Sequence, residues 1–237
     1  MIPRPARGAR GDELATACAL AVAANPLLRD ELVLRGGVAL HHFVLPAPLR
    51  RCLGLEYARR TTTPIGPVLD ALRALARAHE LRIRTEVRDR PRVYLTDANR
   101  PGSHSVRVRL DLETRETQPR LPLVRRTVLT CATDELLGLI LRELYRRSRS
   151  RDLFDLWAGL THLAVDDAVV VDVFRDACAR TPLGRVGRGA FVARLHRHLA
   201  RPAYPADLEG LPVDATGYSP QGAASMITDQ LLARLPR

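Results

Sequence analysis

Three groups of residues in this chain have types and spacings that can do chemistry. Gly36-Gly37 stands directly before a helix-like segment, and backbone amides at such a start can hold an anion without help from side chains. The same pair is also an ordinary turn that packs a helix against a sheet. His41-His42 follows, with Glu56 further along on a strand-like segment. A histidine near a carboxylate is the minimum apparatus for general acid–base catalysis. Two adjacent histidines on a helix surface give the same pattern with no function. The third group is Arg151-Asp152-x-x-Asp155 at the opening of a helix. Its carboxylates at i and i+3 share one face, ready either to work in a pocket or to sit at a helix N-terminus paired with Arg147 or Arg151. Arg142, Arg146 and Arg149 at i, i+4 and i+7 read as one solvated helical stripe, whereas Arg147 and Arg151 can grip a phosphate bidentately.

The elements that must position these groups can be read from hydrophobic period and turn residues. Asp12 to Ala24 reads as a helix, with Asp12 as N-cap and Asn25-Pro26 as stop. Val38 to Val44 reads as the helix after the glycines, broken by Leu45-Pro46-Ala47-Pro48. Leu53 to Tyr57 is a short strand. Thr61 to Pro64 leads into a helix over 68–80, with an apolar face at Val68, Leu69, Leu72, Leu75 and Ala76. Strands follow at Leu81–Val87, Arg92–Thr96 and Val106–Leu112. Arg82 and Arg84 alternate with Leu81 and Ile83, the period of two expected of a half-buried strand. Asp97 to Ser103 forms a hairpin loop. Helices are expected at 133–147, 151–160, 166–180, 187–200 and 221–235.

Composition sets the frame. A chain of 237 residues can bury a full core, and 46% hydrophobic with 27% charged residues reads as globular. No apolar run approaches the roughly 20 residues that span a bilayer, and the first ten residues lead into no apolar signal segment. The expectation is a cytoplasmic protein with no membrane partner. All 37 basic residues are arginine, as codon bias in a GC-rich genome would give; chemistry that needs a lysine ammonium is thereby excluded. A net charge of +11 and a pI near 10.7 attract polyanions, with nucleic acid or a nucleotide first among them. Aromatics at 4% leave little material for base stacking. Cys18, Cys52, Cys131 and Cys178 lack zinc-ligand spacing and read as buried free thiols.

Two stretches together carry a family resemblance. Leu34 to Tyr57 reads LRGGVALHHFVLPAPLRRCLGLEY, and Asp134 to Trp157 reads DELLGLILRELYRRSRSRDLFDLW. The first resembles the LKGGTAL segment followed by R-x-S-x-D-L-D-F of AbiEii-type nucleotidyltransferase toxins, found in bacterial abortive-infection and toxin–antitoxin systems. The second is similar to that family's helix ending in R-x-x-x-R-D-x-x-D, with Glu135, Leu136, Leu144, Arg147, Arg151, Asp152 and Asp155 matching. The departures are substantial. Val38 replaces the Thr or Ser after the glycines, Gly54 replaces the first Asp of D-x-D, Glu56 replaces the second, and Ile140 stands where the family has Lys.

The resemblance implies an α/β (α+β) fold with a nucleotidyltransferase-like mixed sheet and a helical C-terminal subdomain. The expected organisation is a basic, flexible arm over 1–10, an α/β core over 11–130 and a helical part over 131–237, with the boundary within Leu121–Thr130. It also implies Asp111 as a third carboxylate on a strand neighbouring Glu56, and Asp152 and Asp155 as pocket carboxylates. Nucleotidyl transfer needs two divalent cations held by carboxylates, and Gly54 removes one ligand outright. No metal or other cofactor is therefore expected, with Mg²⁺ relevant only if transfer survives. Gly36, Gly37, Arg147 and Arg151 are the expected anion-binding set; His41, His42, Glu56, Asp111, Asp152 and Asp155 are the candidate catalytic set. Three functions stay open: a pseudoenzyme that binds a nucleotide, RNA or an antitoxin-like protein partner; a scaffold turned to metal-independent acid–base chemistry on a small molecule in the old pocket; and an active toxin-type enzyme that modifies RNA.

Overall fold

A computed structural model describes residues 11–52, 54–86, 92–97, 106–111, 122–125, 127–208 and 213–236; the side chains at 11, 85, 86, 92, 97, 106–111, 122–125, 205 and 207 are not among those described. The expected basic arm over 1–10, Leu53 and the hairpin loop beyond Asp97 lie outside the described residues. The chain divides into two compact units, Met1–Val44 with Arg51–Cys131, and Leu45–Arg50 with Ala132–Arg237.

The first unit is built around a mixed sheet. Its strands are β1 (Leu32–Arg35), β2 (Gly54–Arg59), β3 (Leu81–Glu86), β4 (Arg92–Asp97), β5 (Val106–Asp111), β6 (Pro122–Arg125) and β7 (Val128–Cys131), in the spatial order β3-β4-β5-β2-β1-β7-β6. β1 is central, antiparallel to β2 and parallel to β7, and β2 runs parallel to β5. Helix α1 (Gly11–Ala24) packs on β2, β5 and β7, and α4 (Gly66–Ala78) packs on β3 and on the short α2 (Pro26–Glu31). The helices cover the apolar side of the sheet. Leu55, Val93 and Leu95 are fully buried there, as are Ala15 and Ala19 of α1 and Leu72 of α4. Gly11 rather than Asp12 begins α1, which puts Asp12 in the first turn where a carboxylate suits the helix dipole. Asn25 does more than stop α1, because its side chain accepts from Leu28 N and caps α2.

After β1 the chain turns helical at once, as α3 (Gly36–Val38), and continues as a π-helical segment over Ala39–Val44. The expected regular helix over 38–44 is therefore replaced by the wider i→i+5 winding, an arrangement found mostly in single turns and often at functional sites.

The second unit is helical: α5 (Thr133–Arg147), α6 (Ser150–His162), α7 (Asp167–Ala179), α8 (Arg188–Leu199) and α9 (Pro220–Gln230). Asp166 caps α7 by accepting from Ala168 N and Val169 N, and Ser219 caps α9 through Gly222 N. α5 and α7 approach closely at Gly138, where an added Cβ would fall 2.7 Å from Val170 O and from Val173 Cβ. The core combines Leu137, Leu141, Phe154, Phe174, Phe191 and Ile227. The segment Leu45–Arg50 joins this unit because Leu49 O accepts from Val213 N and Asp214 N, and because Arg50 pairs with Asp155. No helix of the described residues is long and apolar enough to cross a membrane.

Candidate functional site

In the first unit, Gly36 and Glu56 are in contact. Arg35 and Glu56 are cross-strand partners in the β1–β2 ladder, which brings the next residue, Gly36, against the Glu56 side chain. A Cβ built on Gly36 would lie 3.1 Å from Glu56 Oε2 and 3.3 Å from its Cδ, and Gly36 has φ +72°. The left-handed backbone at 36 favours glycine over any L side chain, and an added Cβ would also require the Glu56 carboxylate to give way by a few tenths of an ångström. β2 itself reads Gly54-Leu55-Glu56-Tyr57-Ala58-Arg59, so Glu56 is its only carboxylate.

Asp111 ends β5 in register with Ala58, two positions beyond Arg109, which is the register partner of Glu56. His41 is completely buried within the π-helical segment, and His42 beside it is half-buried. The picture of two histidines on a helix surface therefore does not hold for His41. Val33 and Leu34 of β1, together with Val38, Ala39 and Leu40, make this an apolar neighbourhood in sequence, and all five are buried.

In the second unit the carboxylates are present and already engaged. Asp155 is 2% exposed and receives a bidentate pair from Arg50, Nε to Oδ1 and Nη2 to Oδ2, both at 2.6 Å. Asp152 is 3% exposed and receives Arg147 Nε and Nη2, both at 2.9 Å. Two parallel charge-assisted bonds of this kind combine strength with fixed geometry. Glu143 on α5 accepts from Arg142 Nη2 at 3.1 Å and from Arg146, with Arg147 Nε 3.4 Å away.

Asp152 and Glu143 end with opposite shifts although burial raises both. Burial pushes the Asp152 carboxyl up to about 6, against the opposing charge and hydrogen bond of Arg147, and the nearby charges of Asp155 and Glu143 add to the rise. Burial works in the same direction at Glu143. There the hydrogen bond from Arg146 and the charges of Arg147, Arg142 and Arg146 outweigh it and hold the group well below the usual carboxylate range. Arg151 is half-buried, and its pKa is lowered by burial and then by Arg149, with Asp152 opposing.

The expected solvated stripe of Arg142, Arg146 and Arg149 is not formed. α5 ends at Arg147, and Ser148 adopts a left-handed conformation with φ 47°, so Arg149 lies outside the helix. Arg142 is 3% exposed. Besides Glu143 it acts on Cys178 of α7, whose thiol burial pushes up to about 11 while the Arg142 charge opposes the rise. Arg146 and Arg149 do reach solvent.

Two participants were missed in the sequence. Glu143 carried no motif signal. Arg50 did: counting back from Gly54, the arginine that opens the family's R-x-S-x-D falls on Arg50, 105 residues from its partner Asp155. All four cysteines are free and buried. Among the described residues no three His, Cys, Asp or Glu side chains converge as a metal site. β2 carries a single carboxylate, Glu56, and glycine at 54, so by itself it does not supply the carboxylate set that two divalent cations require.

No family model and no curated protein sequence matches the chain. Solved structures do match. The nucleotidyltransferase toxin MenT4 from Mycobacterium tuberculosis H37Rv superposes with a TM-score of 0.61 at 15% identity, covering 99% of this chain and 89% of the other. A Helicobacter pylori protein assigned as a nucleotidyltransferase gives 0.59 at 15% identity, covering 95% and 94%. JHP933 from Helicobacter pylori gives 0.56 at 13% identity, covering 94% and 91%. At such identity the likeness is one of fold, and it extends over nearly the whole length: the chain has the mixed α/β fold of nucleotidyltransferases, with a nucleotidyltransferase toxin among the structures that share it.

Proposed function

We propose that this protein uses a nucleotidyltransferase fold to bind a nucleotide or nucleic acid and no longer performs metal-dependent nucleotidyl transfer. The observation that carries the reading is the state of the carboxylates. β2 holds only Glu56, with Gly54 at the first ligand position, while Asp152 and Asp155 are buried in bidentate pairs with Arg147 and Arg50. The net charge of +11 favours a polyanionic ligand. We assign phosphate to the backbone amides after Arg35 within the first unit and, separately, to the guanidinium of Arg151 within the second. An antitoxin-like protein is a second class of partner under this reading, since one structural neighbour is a toxin.

The test is incubation of the purified protein with Mg²⁺, labelled nucleoside triphosphates and tRNA, alongside calorimetry with the same nucleotides. The expected result is binding without label transfer. Mg²⁺-dependent labelling abolished by Glu56→Gln would overturn it in favour of a surviving transferase. Arg151→Ala should weaken nucleotide binding by about 1.5–3 kcal/mol. Equal affinity in wild type and variant would assign Arg151 a structural role.

A second reading rests on His41, a fully buried histidine in a π-helical segment of the same unit as Glu56. Under it, His41, His42 and Glu56 supply acid–base catalysis on a small molecule. Turnover that survives EDTA and falls on the order of 10²-fold in His41→Ala or Glu56→Gln would establish it.

A further inference from the structure

The sheet of the first unit has two chemically opposite sides, and the register of its strands shows how far the difference extends. Leu55 pairs with Val108 and Val108 with Val93; Leu95 pairs with Ile83 and with Val106. That is the side on which Leu55, Val93 and Leu95 are buried and α1 and α4 pack. The alternate register positions form two rows across four strands. One row runs Arg84, Tyr94, Arg107 and Gly54 on β3, β4, β5 and β2. The next runs Glu86, Arg92, Arg109 and Glu56, with Arg35 of β1 beyond Glu56. Arg82, opposite Thr96, lies on the same side as these rows, one position beyond Arg84 in the alternation. Five arginines thus occupy the rows on β3, β4 and β5, against Glu56, Glu86 and the strand-end Asp111.

Where the side chains are described, Arg82 and Arg84 are exposed and Tyr94 is half-buried. The Arg84 guanidinium carbon lies 4.9 Å from the centroid of the Tyr94 ring. At the usual strand separation the rows span ~14 Å from β3 to β2. The first row reaches Gly54 on β2 and the second reaches Glu56, whose carboxylate lies against Gly36 at the opening of α3.

We infer that this arginine-rich sheet face, with Tyr94 and Arg84 at its β3–β4 end, is a binding surface for a single-stranded nucleic acid. Arginines in rows contact successive phosphates, and this contact supplies affinity without reading sequence. An exposed strand face with an aromatic ring among arginines also stacks unpaired bases, on the ring or on a guanidinium plane. A duplex has its bases already stacked and can use only the charges. An acidic peptide likewise has no use for the ring. Because Arg84 lies over Tyr94, a base either stacks on the guanidinium or replaces it, and the two residues act as one unit. The inference rests on the nucleic-acid reading given above, and it names the ligand's strandedness and its surface.

The experiment measures fluorescence anisotropy of fluorescein-labelled 12-nucleotide uridine and thymidine strands with the full-length protein over a range of salt. Arg82→Ala with Arg84→Ala should weaken binding at least about tenfold at low salt and reduce the slope of log affinity against log salt by roughly 1.4. Tyr94→Ala should weaken it about fivefold or more at an unchanged slope, and Tyr94→Phe should restore it. The combined Arg84→Ala, Tyr94→Ala variant should lose less than the product of the single losses. Removing the exposed Arg175 and Arg197 of the helical unit should change affinity less than twofold. Unaltered melting curves of the variants exclude misfolding, and Tyr94→Phe keeps the test decisive if Tyr94→Ala unfolds. A preference for uridine over thymidine strands assigns RNA, and the reverse assigns DNA. The inference is overturned if Arg175→Ala with Arg197→Ala costs as much as the β3 pair, if Tyr94→Ala binds like wild type, or if a duplex or poly-glutamate competes as well as the uridine strand. Calorimetry with a nucleoside triphosphate separates the two proposals. Strand binding without nucleotide binding retains this face and removes the nucleotide from the function, and the converse removes this face alone.

Discussion

β2 and the α5–α6 region differ in how their carboxylates are held. β2 carries one, Glu56, which lies against Gly36, while Gly54 has no side chain to offer. In α5 and α6, by contrast, three acids are buried and held by arginine. Asp155 is held by Arg50, Asp152 by Arg147, and Glu143 by Arg142 and Arg146. Substitution on β2 removes charge and leaves the fold nearly untouched, because a strand needs no carboxylate to pair. Pairing in α5 and α6 makes the acids part of the core. A change there is therefore expected to act on stability first, whereas a change on β2 acts on ligand chemistry.

The largest effect expected from this contrast is at Asp155. Asp155→Ala leaves the Arg50 guanidinium buried with its carboxylate gone, and removal of one member of a buried pair costs about 3–5 kcal/mol. The double variant Arg50→Met, Asp155→Leu removes both charges and should recover most of that loss, because desolvation of the two ions is no longer required. Urea denaturation measures both. A loss below about 1 kcal/mol for Asp155→Ala would show that the α6 acids are as dispensable as those of β2, and the comparison would fail.

The two regions also differ in what local sequence discloses. α5 is readable to its ends, because leucines at helical spacing lie between Asp134 near its start and Arg147 at its stop. The β3 and β5 strands show in the alternation of Arg with apolar residues. Gly36-Gly37 marks the turn out of β1. The π-helical winding over Ala39–Val44 has no such signature, since the same residues fit an ordinary helix equally well. The ion pairs of α6 are invisible locally because Arg50 lies on a segment 105 residues distant. Arg142 was misread for a related reason. Its spacing to Arg146 and Arg149 indicates an exposed stripe only if the helix continues, and the left-handed Ser148 ends it. Burial of Arg142 is set by the packing of α7, which no pattern within α5 encodes.

An intermediate effect is expected from Asp152, and its sign is distinctive. Its folded-state pKa of about 6 lies above the ordinary 3.8, so the folded protein binds more protons than the unfolded chain between those values. Stability from this group falls as pH rises from about 4 to 6, and its full cost is present above pH 6. Asp152→Asn removes the titration, so wild type should gain on the variant as pH falls from 7 to 4, by on the order of 2–3 kcal/mol. Glu143, held low by its arginines, contributes the opposite sign, with stability present above the ordinary carboxylate pKa and lost below it. Its loss lies at more acid pH, so the two effects separate. Melting temperatures of both proteins across that range test this. A difference that does not change with pH would mean that Arg147 neutralises Asp152 fully.

The smallest effect is at Gly36, where the first unit can be probed without touching a charge. Gly36→Ala forces a non-glycine residue to φ +72° and sets its Cβ 3.1 Å from Glu56 Oε2. The backbone term is about 1 kcal/mol. The steric term is modest if the Glu56 carboxylate can swing away, and about 1 kcal/mol more if it is held. Gly184→Ala isolates the backbone term, because Gly184 has φ +62° and nothing within 4 Å of an added Cβ. Gly36→Ala should therefore cost about 1–2 kcal/mol and exceed Gly184→Ala, and Glu56→Ala in the same chain should remove the excess but not the remainder. Equal costs for the two glycines would show that Glu56 is free to move, and that β2 holds even its last carboxylate loosely, in contrast to the fixed acids of α6.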